Sequence, residues 1–155
     1  MTATLNAPPA AEVSDLMRGL FGLAITDKAA ADFQPYSIAE YVDESGDVAG
    51  YLSCDLASGC RMAAALTQIP AGRVDEAISD GAIDENLAEN LNEVFNISVA
   101  LLAPADGSRV VLKRVLHGSG SEGFSEAAAA LNDRDCTDYA FEVARYGDCY
   151  LQVGC

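Results

Sequence analysis

From Ile83 to about Leu102 the apolar residues recur at helical spacing, and this run limits the fold more than any other stretch of the chain. An ideal α-helix turns roughly 100° per residue. With Ile83 at zero, Leu87, Leu91, Val94, Phe95 and Val99 fall within an arc of roughly 160°. A helix with so broad an apolar face must lie against a core. Glu85, Glu89, Asn92 and Asn96 fall within roughly 60° of one another on the opposite side. Spacings of four, three and four residues make these side chains neighbours on one exposed ridge.

An ordinary solvated face explains an acidic ridge, but two details point further. Surface helices usually mix charges and gain from i,i+4 pairs, whereas this ridge has neither lysine nor arginine. Asparagine is also a poor helix former, yet Asn86, Asn90, Asn92 and Asn96 lie within eleven residues. Amides retained where they weaken a helix hint at a use.

The remaining patterns place this helix in an α+β domain. A first helix is predicted from Ala11 to about Ala24, where Val13, Leu16, Met17, Leu20 and Phe21 recur. Residues 1–10, with Ala-Pro-Pro-Ala, read as a disordered lead-in to a single domain over 11–155. Asp27 to Pro35 reads as a loop. Tyr36–Val42 and Val48–Asp55 form a hairpin across Glu44–Asp47. Ala57–Gln68 is a short alanine-rich helix ended by Pro70, and Arg73–Gly81 is a polar connector of about one helical turn. Beyond Pro104, Arg109–Leu116 is a strand, Gly118–Glu122 a flexible loop and Phe124–Leu131 a short helix. Tyr139–Arg145 and Cys149–Val153 close the chain as a hairpin. This order predicts a mostly antiparallel sheet with helices packed on one face.

Charge and cysteine usage narrow the function. The net charge is −15, so nucleic acid and anionic membrane surfaces are not expected as partners. The first ten residues lack the basic and apolar regions of a secretory signal. An odd number of cysteines, Cys54, Cys60, Cys136, Cys149 and Cys155, then suggests reduced thiols in the cytoplasm, packed as small hydrophobes. No cysteine pair has the short gap of a zinc knuckle and His117 is the single histidine, so no metal site of its own is expected. His117 reads as a strand-end residue. Pairing it with Ser119 or Ser121 as a nucleophile is a poor reading for residues so close in a loop. Gly118-Ser-Gly-Ser-Glu-Gly123 lacks the Lys-Ser or Lys-Thr that follows the glycines of a P-loop.

Glu85-Asn-Leu-Ala-Glu89-Asn-Leu-Asn92 resembles the helix motif of the CheC and CheX chemotaxis phosphatases: Asp or Ser, three residues, Glu, two residues, Asn. Gly50-Tyr-Leu-Ser-Cys-Asp55 and the helix holding Met62-Ala-Ala-Ala65 resemble the segments that precede it. The resemblance runs from about Leu16 to the end and is strongest over Val48–Leu102. One copy of the motif in a chain this short is more similar to CheX than to CheC.

The resemblance implies a CheC-like fold and hydrolysis of the aspartyl phosphate of a CheY-like receiver domain. By this resemblance Asn92 would position the attacking water, Glu89 would hold the receiver's lysine and Glu85 would be a supporting polar contact; Asn96, on the same ridge, is expected to face the partner as well. An asparagine amide can accept from water and donate to a phosphoryl oxygen, and such positioning is most of what phosphoryl transfer needs. No cofactor of the chain's own is implied; Mg2+ is expected on the partner receiver. A homodimer is also implied; the apolar alternation from Tyr139 to Val153 suits either a sheet edge or an internal hairpin. Asn96 stands where the family commonly has a glycine, and Lys113–His117 lacks the proline often found there. These departures give the alternative: a catalytically inactive CheX-like interaction or dimerisation module.

Overall fold

The computed structural model describes residues 5–104 and 106–155. Six strands form one sheet in the order β1-β5-β6-β3-β2-β4, and every neighbouring pair is antiparallel. They are β1 (Ile25–Lys28), β2 (Ser37–Asp43), β3 (Val48–Cys54), β4 (Val110–His117), β5 (Cys136–Val143) and β6 (Gly147–Gly154). The helices are α1 (Ala10–Phe21), α2 (Leu56–Thr67), α3 (Ala71–Asp80), α4 (Glu85–Ile97) and α5 (Phe124–Asn132).

Strand alternation decides which face each helix meets. Ala39, Tyr41, Leu52 and Cys54 join the main core beneath α1 to α4. Ile38, Tyr51 and Leu116 point the other way and pack with Phe124, Ala127 and Leu131 of α5. The α+β fold and the antiparallel sheet agree with the sequence pattern, and α1 to α4 lie on one face as expected. The short α5 adds a small second layer opposite.

Helix boundaries follow local chemistry. Asp55 caps α2 by accepting from the Ser58 N–H at 2.9 Å, and Asp84 caps α4 by accepting from the Leu87 N–H at 2.8 Å. Leu87, Leu91, Val94 and Phe95 of α4 are buried, the last two almost completely and the leucines entirely. Small residues in α2 let α4 approach: a Cβ on Gly59 would lie 2.9 Å from Leu91 Cδ2.

Three sequence expectations need correction. The run expected to be one helix to Leu102 is α-helical only to Ile97 and continues as a 3₁₀ segment, Ser98–Leu102. The Tyr41 hydroxyl donates to the Phe95 carbonyl at 2.6 Å where the helix changes pitch, and Ala103 is extended ahead of Pro104. Arg73–Gly81 is not a connector but most of α3, which buries only Val74 and Ala77 and so left a thin apolar signal. The loop expected over Asp27–Pro35 begins too early, because β1 extends to Lys28. Of the two readings left open for Tyr139–Val153, the internal hairpin is the one found: β5 and β6 lie inside the sheet, whose edges are β1 and β4.

Of the expected disordered lead-in, residues 1–4 lie outside the described residues. Leu5 is buried against Gly50, and the Pro8 carbonyl accepts from the Tyr139 hydroxyl at 2.5 Å.

Candidate functional site

Burial of Leu87, Leu91, Val94 and Phe95 against the core fixes which side of α4 faces outward. Glu85, Glu89, Asn92 and Asn96 are all exposed on that side, as their spacing requires. Among the described residues, no lysine or arginine forms an ion pair with Glu85 or Glu89. The ridge therefore presents uncompensated negative charge beside two amides. The start of the helix is tied down below it. Arg73 Nη2 donates to Asp84 at 3.1 Å, and the Leu87 N–H, foremost, together with Arg73 holds the Asp84 carboxyl below the usual carboxylate range.

The asparagines of α4 divide by role. Asn90 donates to the Ala63 carbonyl at 3.0 Å and to Thr67 Oγ1 at 2.8 Å, joining α4 to α2. Its helix penalty is offset by a tertiary link. Asn86 and Asn96 are exposed. Asn92 is exposed too, but its Oδ1 lies 2.9 Å from His117 Nε2.

His117 ends β4 directly opposite Ser37 of β2, and its Nδ1 lies 2.8 Å from the fully buried Ser37 Oγ. Burial pushes the imidazole below its ordinary pKa, which favours the neutral ring at pH 7. Three side chains from β2, β4 and α4 thus form one hydrogen-bonded line from the core to the ridge.

The surrounding loops fix this line. The Gly118 N–H donates to the Tyr36 carbonyl at 2.7 Å, and Tyr36 Oη accepts from the Ile83 N–H at 3.2 Å. Gly118 has a φ of 81°, a conformation that L side chains rarely adopt, while a Cβ there would make only ordinary contact with Tyr36 at 3.4–3.5 Å. Ser121 Oγ donates to the His117 carbonyl, and the Ser121 N–H donates to Gly118 at 3.1 Å. The Gly/Ser loop is thereby folded back on the end of β4.

This arrangement does not make a hydrolytic triad. The serine is buried beneath the ring, and the exposed member is an amide, which is no nucleophile. Its chemistry is donation and acceptance at a fixed place. An exposed helix face meets a macromolecular surface more naturally than it encloses a small ligand. Among the described residues, no group of three His, Cys, Asp or Glu side chains is arranged to hold a metal ion. The thiols of Cys54, Cys60 and Cys149 are buried, and burial raises the Cys60 pKa to about 12. Such thiols are poor nucleophiles.

Sequence reasoning placed Glu85, Glu89, Asn92 and Asn96 together but missed Ser37 and the link through His117. The one available signal was that His117 is the single histidine; its partners lie 25 and 80 positions away in the chain.

No family model matches the chain, and no curated protein does. Solved structures share its fold. The middle domain of FliM from H. pylori matches with a TM-score of 0.58 at 9% identity, over 94% of this chain and 83% of that one. CheX from Borrelia burgdorferi, solved in complex with CheY, BeF3 and Mg2+, matches with a TM-score of 0.57 at 13% identity, over 94% of each chain. The FliM middle domain from Vibrio alginolyticus matches at 0.56 and 9% identity, over 94% of this chain and 92% of that one. At these identities the likeness establishes the fold alone.

Proposed function

We propose that the chain is a protein-interaction module of a signalling pathway, with the exposed ridge of α4 as its docking surface and a phosphorylated receiver domain as its partner. The observation that carries this reading is the ridge itself: Glu85, Glu89, Asn92 and Asn96 stand exposed together, without a cation paired to either acid among the described residues. The shared fold with a CheX that was solved bound to CheY supports a receiver as the partner.

A second reading goes one step further, and the anchoring of Asn92 favours it. Asn92 presents an amide within hydrogen-bond distance, 2.9 Å, of the His117 ring at the end of β4. Laid against a receiver, such an amide would orient a water in line with the aspartyl phosphate. The water oxygen would bond to phosphorus as the bond to the receiver's aspartate oxygen breaks, leaving inorganic phosphate and a free carboxylate. Glu89, three positions before Asn92, would engage the receiver's lysine, and Glu85 and Asn96 would flank the contact. The Mg2+ that offsets phosphoryl charge would belong to the receiver.

One experiment separates the two readings. A phosphorylated receiver is mixed with the protein, and both binding and phosphate lifetime are followed. The docking reading expects binding that weakens in Glu89→Lys. The phosphatase reading expects a shortened lifetime, with Asn92→Ala losing about 100-fold of the acceleration. Binding with an unchanged lifetime leaves docking alone; no binding to any receiver removes both.

A further inference from the structure

Asn92 stands on an exposed face, yet one end of its amide is engaged by a side chain of the sheet. An asparagine has a donor end and an acceptor end, and a half-turn of the amide exchanges them. A partner therefore meets a different surface depending on what holds the inner end. Here His117 Nε2 lies 2.9 Å from Oδ1, and Nδ1 lies 2.8 Å from Ser37 Oγ.

Only one arrangement of protons satisfies the whole line. A carbonyl oxygen accepts, so Nε2 carries the proton and donates to Asn92. In a neutral ring Nδ1 is then a bare acceptor, and the Ser37 hydroxyl donates to it. In the reverse arrangement Asn92 Nδ2 donates to Nε2, and Nδ1–H donates to Ser37. The Ser37 proton then has no acceptor among the described residues, inside a fully buried site. An unmade hydrogen bond there makes the reverse arrangement a minor population. Burial independently favours the neutral ring that this scheme needs.

We propose that His117, backed by Ser37, is a positioning residue for Asn92, holding its amide with the two Nδ2 protons outward and one Oδ1 lone pair free. The inference rests on the reading that Asn92 meets the phosphoryl group of the partner. Outward donors suit a phosphoryl oxygen, and the free lone pair suits a water beside it. Without His117 the amide turns, and the two ends meet the phosphoryl group in mixed orientation.

The single histidine makes a direct test possible. Nitrogen NMR of the intact protein at about pH 7.5, above the ordinary histidine pKa, should show Nε2 protonated and Nδ1 bare. The Asn92 side-chain amide signal should shift in His117→Phe and return towards its original position in His117→Gln, which restores a donor. With a phosphorylated receiver, His117→Phe should lower the maximal acceleration on the order of tenfold while the half-saturating receiver concentration stays within about twofold. His117→Gln should recover most of that loss. A ring protonated at Nδ1 overturns the inference using the wild-type protein alone. An Asn92 signal unmoved in a folded His117→Phe variant overturns it too, as do equal kinetic losses in the Phe and Gln variants. If the NMR results are as expected but no receiver responds, the positioning stands and the proposed function falls.

Discussion

A single buried hydroxyl decides what His117 does. Ser37 fixes Nδ1 as an acceptor, and the ring then has one proton to give Asn92. The same burial links this residue to stability. An unfolded histidine has a pKa of about 6.5, and in the fold that of His117 is lower. Between those two values the unfolded chain binds more protons than the folded one, so stability rises with pH across the window. Lowering the pH from about 7.5 to 5.5 should therefore reduce the unfolding free energy measured in urea, and His117→Gln should flatten that slope. The asparagines show how far residue type alone can be read. Asn90 and Asn92 carry the same helix penalty, but the first joins two helices and the second reaches the sheet. Spacing cannot distinguish them, because their partners come from other elements.

Among the elements, α4 is tied to the sheet at its C-terminal end. Tyr41 is fully buried in β2, and its hydroxyl donates to the Phe95 carbonyl where the α-helix gives way to the 3₁₀ segment. Tyr41→Phe should destabilise the protein by about 1–2 kcal/mol, because the Phe95 carbonyl loses a buried donor. Urea unfolding should show a lower midpoint with an unchanged slope. Periodicity found α4 because it buries four large side chains along one stripe. It underestimated α3, which buries two small ones, and missed β1, where only Ile25 of four residues is buried. In both the apolar signal is weak because the element lies at the rim of the core. The bulge between β2 and β4 was equally hidden. It lets Lys113 and Arg114 both reach the buried Glu40, at 3.5 and 3.2 Å, a pairing no one-strand pattern contains.

At the scale of the whole molecule, 24 acids face 9 lysines and arginines. The ion pairs of the described residues are few and, apart from the Glu40 side, substantially exposed, so salt removes little attraction and relieves much repulsion. Raising NaCl from about 10 mM to about 500 mM should increase Tm by a few degrees. A fall in Tm would show that the exposed pairs matter more than net charge. The α+β class, the hairpins and the ridge of Glu85, Glu89, Asn92 and Asn96 are legible in the chain alone, because they follow from periods of two and 3.6 residues within continuous segments. The strand order, the placing of β5 and β6 inside the sheet, and the line from Ser37 through His117 to Asn92 emerge with folding. Those features depend on which distant segments meet, and a hydrogen bond across 25 or 80 residues leaves no periodic trace in the chain.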